Sequence, residues 1–258
     1  MSLKKWLNGP IDLGSDPQNN YYLLEVESVD EGLKEYLTTC IRDSYSDPEK
    51  IKKHLQYLHL TTLLNLIKLK IPKKFSTQKS EFGEILCRVT LEDCFSLVVP
   101  VCKLHFKTDP ESSVHGMDAI AFRFYENPMN DCIYLAEAKT APSQSYAETS
   151  PREIKKKFEG LKRADILEEL GFIIDQLATG NRDHYLRVIS MLNVYERCDD
   201  INLRLCPFLV QEKSYWKENN IKCIRKSSFV NPIFLIAVTI NGLSDLFEET
   251  YKRAIEVS

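Results

Sequence analysis

Two short stretches, DAIAFRFY at 118–125 and CIYLAEAK at 132–139, decide the fold that we predict for this chain. Both are rich in apolar and aromatic residues, as β-strands are. The six residues between them, 126–131, include the turn-forming pair Asn127-Pro128. The sequence therefore predicts an antiparallel hairpin at this point of the chain.

The hairpin brings three charged residues to one end. Side chains alternate between the two faces of a strand, so Glu137 and Lys139 share one face of the second strand. Two registers keep the apolar faces of the strands together. One places Asp118 opposite Lys139, and the other, shifted by two residues, places Asp118 opposite Glu137. Both registers gather Asp118, Glu137 and Lys139 on one face.

This arrangement suits a metal site that acts on phosphate esters. Two neighbouring carboxylates repel each other and favour a cation between them. Mg²⁺, with Mn²⁺ as a substitute, accepts one or two carboxylates, keeps several waters and polarises a phosphoryl oxygen. Lys139 would orient or activate the attacking water. The structural alternative is an Asp118–Lys139 salt bridge with Glu137 in solvent.

The elements around the hairpin predict a mixed α/β fold. Glu84, on the helix before the hairpin, is a candidate fourth acid. Its alternative is an ion pair with Arg88 one turn later. The predicted elements are, in order, a helix at 80–95, a strand at 98–108, the hairpin, a helix starting at Ser150-Pro151 and running to Gly180 with breaks at Gly160 or Gly171, a helix at 182–195, and strands at 206–211 and 233–240.

The N-terminal part of the chain, residues 1–75, is predicted to form either an N-terminal strand and helix layer of one domain or a small helical domain, and it precedes the nuclease-like domain predicted at 76–258. Residues 1–19 are polar and contain several Gly and Pro, which indicates a loose lead-in. We expect the rest of this layer to hold a strand at 21–26, a helix at 30–43, and a helix that begins near Asp47-Pro48 and ends before Pro72.

Composition excludes several classes of protein. The chain has 258 residues, 43% hydrophobic and 28% charged, with a formal net charge of −3. These values exclude wholesale disorder and a uniformly basic nucleic-acid binder.

The N-terminus has no apolar run behind its lysines, and the stretch 233–240 is too short to span a bilayer. We therefore expect a cytoplasmic protein with no membrane association. The chain lacks a P-loop and so would not hydrolyse ATP by that route.

One basic segment is a candidate DNA contact. Residues 151–163 contain six basic and two acidic side chains, and such clusters bind phosphates without regard to sequence. A solvated helix face is the equally weighted alternative. The residues that we assign to nucleic-acid binding are Lys155, Lys156, Lys157 and Lys162.

These residues together resemble a known nuclease superfamily. A helix Glu, an Asp on one strand and Glu-x-Lys on the next resemble the PD-(D/E)xK superfamily, with Met117 in place of its Pro. The segments EFGEIL at 81–86, VHGMD at 114–118 and AEAK at 136–139 resemble, more narrowly, the DUF1837 family. That family includes the HamA nucleases of the bacterial Hachiman anti-phage defence system.

The resemblance implies more than the residues do by themselves. It implies a restriction-endonuclease-like core of order α-β-β-β-α-β with an N-terminal, mostly helical extension. It implies Mg²⁺-dependent DNA cleavage with Asp118, Glu137 and the Ala138 carbonyl on the metal, Lys139 as the catalytic lysine and Glu84 assisting through water. It also implies a helicase partner, HamB, that restrains the nuclease.

Two other functions remain compatible with the sequence. One is a non-catalytic protein that binds a partner and retains a nuclease fold. The other is a site-specific restriction endonuclease.

Overall fold

The computed structural model describes residues 2–46, 51, 56–57, 59–112, 114–178, 182–198 and 202–256. Six strands form one mixed sheet in the order β1-β2-β6-β5-β4-β3, with helices on both faces, which confirms the predicted α/β class. The strands are β1 (Leu7–Asp12), β2 (Asn20–Val26), β3 (Ala119–Arg123), β4 (Cys132–Ala141), β5 (Asn202–Glu212) and β6 (Phe234–Ile240).

Helices cover the sheet from two sides. Within the described residues they are α1 (Glu31–Ser44), α2 (Leu60–Lys70), α3 (Phe75–Phe95), α4 (Gln144–Glu159), α5 (Arg163–Leu177), α6 (Arg182–Cys198), α7 (Lys222–Arg225) and α8 (Leu243–Ile255). We call the side covered by α1, α3 and α8 the first face. The side covered by α4, α5 and α6 is the second face. No helix in the described part of the chain is long and apolar enough to cross a membrane.

The hairpin adopts the second of the two predicted registers. Ala119 pairs with Ala136 and Phe122 pairs with Ile133, so Asp118 lies opposite Glu137 rather than Lys139. Every residue of β4 is buried except Lys139, which is half-buried. This follows from the position of β4 inside the sheet between β3 and β5, with helices over both faces.

The strand predicted at 98–108 is wrong in extent. Only Val98 pairs with the sheet, through Phe122, and residues Lys103–Phe106 form a short 3-10 helix. Pro100 has no N–H to donate to a ladder, so pairing stops where it begins. The sequence favoured a strand because this segment is apolar, and Val99, Val101 and Leu104 are indeed buried, whereas Phe106 is exposed.

The helix predicted to start at Ser150-Pro151 begins earlier, at Gln144. Proline inside a helix leaves the carbonyl four residues earlier without its usual donor. Here the side chain of Gln211 donates to the Ala147 carbonyl at 3.4 Å and partly replaces the missing bond. The helix ends before Gly160, as predicted, whereas Gly171 lies within α5.

The N-terminal lead-in is more ordered than predicted. Residues Leu3–Trp6 form a 3-10 helix, and β1 pairs with β2, which in turn pairs in parallel with β6. The strand at 21–26 and the helix at 30–43 are confirmed within one or two residues. The helix start predicted at Asp47-Pro48 lies outside the described residues.

Candidate active site

Asp118 is held in a fixed position immediately before β3. Its backbone N–H donates to the Ala136 carbonyl at 3.0 Å. Its Oδ2 accepts a hydrogen bond from the backbone N–H of Ala138 at 2.7 Å. These bonds follow from the hairpin register, because the strand end places Asp118 directly across from the Ala136–Ala138 backbone.

The turn before Asp118 is anchored by groups that the sequence did not single out. Gly116 has φ +98°, and a Cβ there would lie 1.7 Å from Oε1 of Glu169, so only glycine fits. The same Glu169 oxygen accepts from the Met117 N–H at 2.8 Å, and its Oε2 accepts from Lys103 at 2.5 Å. Glu169 and Lys103 are both buried. They hold the turn that presents Asp118.

Glu137 is the most enclosed charged group of the site, with only 3% of its surface exposed. Lys139 Nζ donates to Glu137 Oε1 at 2.6 Å. Lys157 Nζ, from α4, lies 3.0 Å from Oε2, yet that oxygen has no partner with hydrogen-bond geometry. Lys157 instead donates to the Gly116 carbonyl at 2.7 Å. One buried carboxylate oxygen is therefore left without a donor.

Glu84 reaches the site from α3 on the first face. The helix approaches β4 closely at Gly83, where a Cβ would lie 2.4 Å from Oγ1 of Thr140. This approach puts the Glu84 carboxyl near Asp118 and Glu137. Burial raises the pKa of Glu84 well above its ordinary value, and the negative charge of Asp118 adds to the shift. Glu84 therefore holds a proton under conditions in which an exposed glutamate would not.

The charges at the centre depend on one another. Burial raises the pKa of Asp118 to about 7, and the charge of Glu137 adds to the shift. Burial lowers the pKa of Lys139, but the charges of Glu137 and Asp118 outweigh this and raise it overall. Lys139 therefore stays protonated, and the negative charge of Glu137 favours the protonated form of Asp118.

The donor set fits a hard divalent cation. In the described part of the chain, no group of three or more His, Cys, Asp or Glu side chains is arranged to hold a metal by itself. A cation here would rest on Asp118, Glu137, the Ala138 carbonyl and waters, which is the mixed oxygen set that Mg²⁺ accepts. The Glu137 oxygen without a donor and the raised pKa of Asp118 both fit such a cation.

Of the four predicted nucleic-acid-binding lysines, one reaches the carboxylates. This is Lys157, described above. Lys156 lines a cavity of about 720 Å³ between α4, α5 and the turn at 114–117, beside the site. Lys155 pairs with Glu159 at 3.5 Å, and Lys162 lies before the first residue of α5. The four lysines therefore do not form one continuous stripe.

Sequence reasoning did not find Glu169 and Lys103, and it did not place Lys157 against Glu137. Lys157 lies 20 residues after Glu137, and no local pattern connects the two. The buried stripe of Ile154 and Phe158 on α4 gives a weak signal, because it places the neighbouring Lys157 at the edge of the face that covers the sheet.

Comparisons with known proteins agree on one family. The family model for HamA matches residues 1–254 of this chain. A curated relative, the Hachiman protein HamA of Bacillus cereus, is 27% identical over 237 residues, which cover 84% of this chain and 79% of that relative.

Proposed function

This chain belongs to the HamA family of the Hachiman anti-phage defence system, and we propose that it is the nuclease of such a system, hydrolysing DNA phosphodiester bonds with a divalent metal. The observation that carries the proposal is the arrangement around Glu137. A buried carboxylate faces a second one across the hairpin, has Lys139 at 2.6 Å and Lys157 at 3.0 Å, and keeps one oxygen without a hydrogen bond.

Asp118 and Glu137, with the Ala138 carbonyl, would hold Mg²⁺ or Mn²⁺. When bound, such an ion polarises a phosphoryl oxygen and lowers the pKa of a coordinated water. Lys139 is positively charged, so it orients the attacking water and offsets the charge that develops on the phosphate, and it does not act as a base. Glu84, which keeps its proton, offers a hydrogen-bond donor to a water on the other side of Asp118.

We place the DNA backbone along the side of the site formed by α4. Lys157 and Lys156 are the basic side chains of α4 nearest the carboxylates and the adjoining cavity. Contacts of this kind recognise phosphates and carry no sequence information. This favours a nuclease of low sequence preference over a site-specific restriction endonuclease. The roles proposed for Lys155 and Lys162 are weaker, because they lie further from the carboxylates.

The Hachiman system implies a partner protein. We propose that this partner is a helicase of the HamB type, which would supply the ATP hydrolysis for which this chain has no P-loop. Restraint by the partner would keep a DNase from damaging the host genome until infection. We further propose that the complex acts in the bacterial cytoplasm.

Plasmid cleavage by the purified chain tests the proposal. We expect cleavage with Mg²⁺, none with EDTA, and none by Asp118→Ala. Glu159→Gln, which removes an exposed carboxylate of α4, is the matched control and should cut normally. A featureless smear would support low sequence preference, whereas discrete fragments would indicate a restriction endonuclease.

If the chain alone is inactive, the assay is repeated with the co-encoded partner and ATP. Cleavage that appears only then, and that disappears in Asp118→Ala, supports a partner-gated nuclease. Absence of cleavage both with and without the partner would contradict the proposed nuclease activity. It would favour the alternative, a non-catalytic protein that binds a partner and retains a nuclease fold.

A further inference from the structure

A second charged cavity opens at the other end of the hairpin. Its volume is about 260 Å³. It lies on the first face of the sheet, beside the last residue of α3. At this end of the sheet β3 ends, and β2, β4, β5 and β6 begin. Along β4, Cys132 at this cavity is five residues from Glu137, or about 17 Å. The cavity is therefore separate from the carboxylate site and opens on the opposite face.

The strand register gathers two arginines at this cavity. Arg123 pairs with Cys132 across the hairpin, and Arg204 pairs with Tyr134 across β4 and β5. Cys132 and Tyr134 are two residues apart, so all four side chains lie on one face of the sheet. Two guanidinium groups from different strands therefore border the same small space.

Neither arginine is paired with an acid in the part of the chain that the structure describes. Arg123 donates to the Phe95 carbonyl at 3.0 Å, and Arg204 donates to Oδ1 of Asn20 at 2.6 Å. None of the residues lining the cavity is acidic. A guanidinium has five N–H donors, so each arginine keeps donors beyond these bonds. Two half-buried positive charges with only neutral partners are costly unless an anion joins them.

The pKa of the Cys132 thiol depends on both arginines. Burial raises its pKa, while a hydrogen bond with Tyr134 and the positive charges of Arg204 and Arg123 act in the opposite direction. Both guanidinium groups therefore act on the same thiol, which agrees with their position on the lining of one cavity.

We infer that this cavity binds the phosphate group of a small phosphate-bearing molecule, held between Arg123 and Arg204. The planar donor fork of arginine matches phosphate oxygens and forms two parallel bonds with them. The volume is below the roughly 300 Å³ at which pockets for drug-sized ligands begin, so it fits a phosphate with a small organic part.

The aromatic wall favours recognition of the phosphate over stacking of a base. The rings of Tyr22, Phe95 and Phe234 pack on one another with centroids 5.1 to 5.5 Å apart. These rings therefore pack on one another in tilted and edge-on pairs. The polar groups that line the cavity are the guanidinium N–H donors, the amides of Asn20 and Asn202, and the hydroxyls of Tyr22, Tyr125 and Tyr134.

Isothermal titration calorimetry with three probes tests this site. The probes are inorganic phosphate, adenosine monophosphate as a phosphate ester, and adenosine as the same molecule without phosphate. We expect saturable binding of phosphate or of the ester, and binding of adenosine weaker by about tenfold or more. Tighter binding of the ester than of inorganic phosphate would identify the organic part as a further contact.

Variants locate the binding. Arg204→Gln and Arg123→Gln should each weaken phosphate binding by about tenfold or more. Arg182→Gln removes an exposed arginine at the start of α6 and is the matched control for net charge. Arg204→Lys keeps the charge without the planar fork and provides a folded variant if Arg204→Gln is unstable. It should also bind more weakly than the wild type.

The inference is wrong if no probe binds saturably to the wild-type protein. It is also wrong if Arg204→Lys and Arg123→Gln bind as the wild type does, or if adenosine binds as well as its monophosphate. The assay does not involve DNA or divalent metal, so its outcome is separate from that of the proposed nuclease activity.

Discussion

Two buried carboxylate–lysine pairs in this protein differ in what surrounds them. Glu81 and Lys107 form an ion pair with side chains only 3% and 1% exposed. Glu81 also accepts from the Tyr45 hydroxyl, and Lys107 donates to the Pro110 carbonyl as well. At Glu137 the lysine is 29% exposed, and one carboxylate oxygen has no hydrogen-bond donor.

The difference separates a pair whose oxygens are fully hydrogen-bonded from one that keeps an oxygen without a hydrogen bond. A buried carboxylate whose oxygens all accept hydrogen bonds stabilises the core and has no free acceptor for a ligand. Glu137 lies opposite a second carboxylate, and its Oε2 faces the Lys157 ammonium at 3.0 Å without a hydrogen bond, so this oxygen is the candidate metal ligand. Burial alone does not distinguish Glu81 from Glu137, but the count of donors does.

Removal of Glu81 should have the largest effect. Glu81→Ala leaves Lys107 charged and unpaired in the core, which we expect to lower the free energy of unfolding by about 3–5 kcal/mol. Urea denaturation followed by circular dichroism measures this, with Glu159→Ala as the exposed control, expected within about 0.5 kcal/mol of the wild type. A loss below about 1 kcal/mol would remove the structural role assigned to this pair.

Lys139→Ala should act mainly on cleavage and should lower stability less than Glu81→Ala does, because Lys157 stays 3.0 Å from the Glu137 carboxylate. Loss of one positive charge beside the reacting phosphate should reduce the cleavage rate by about 100- to 1000-fold. Lys139 is half-buried, so its truncation leaves only a small cavity. Gel-based cleavage kinetics measure the rate, and the same urea experiment confirms folding. Wild-type cleavage by a folded Lys139→Ala protein would contradict the catalytic role.

Glu169→Gln should have an intermediate effect, because Glu169 acts through the turn before Asp118. The amide keeps the shape but loses the charge that Lys103 contacts at 2.5 Å. We expect metal affinity or cleavage to fall by about 10- to 100-fold, as for other groups that orient metal ligands. Asp175→Asn, on the exposed side of α5 and away from the cavity, is the control. Equal metal affinity and equal cleavage in wild type and Glu169→Gln would show that the turn does not depend on this charge.

The pH dependence should be the smallest effect. The pKa of Asp118 is raised from 3.8 to about 7, so the folded, metal-free protein keeps a proton that the unfolded chain has lost. Its free energy of unfolding should therefore decrease as the pH rises through this window and level off above it. Metal binding displaces the proton, so affinity should fall about tenfold per pH unit below about pH 7.

Asp118→Asn provides the control for that experiment. It removes the part of the pH dependence of the free energy of unfolding that comes from Asp118. The part that comes from Glu84, whose pKa is also raised, remains. Chemical denaturation at a series of pH values measures both slopes. Identical slopes for the variant and the wild type would show that Asp118 does not titrate in this range.

Local patterns predicted the centre of the site well. Alternation along the hairpin placed Glu137 and Lys139 on one face and left two possible registers. The structure adopts the register in which Asp118 lies opposite Glu137. The alternation of side chains and the pairing of the two strands both depend on residues close together in the chain, so a single sequence is enough to predict them. The helix carrying Glu84 was predicted for the same reason, since its apolar stripe repeats at helical spacing.

What the sequence did not predict depends on distant partners. The start of α4 at Gln144 uses a side-chain bond from Gln211, 67 residues later. Lys157 and Glu169 join the site only because α4 and α5 pack over β4 and the turn at Gly116. The strand predicted around Pro100 failed because burial among helices gives the same apolar composition as burial in a sheet.

The most direct test of the central claim is a titration with Mn²⁺ monitored by electron paramagnetic resonance, for the wild type, Asp118→Ala and Glu81→Gln. With Asp118 and Glu137 as the metal ligands, we expect a Mn²⁺ site in the wild type that is lost in Asp118→Ala and kept in folded Glu81→Gln. Wild-type Mn²⁺ binding by Asp118→Ala would contradict it, because the carboxylate pair at Asp118 and Glu137 would then not be the metal site.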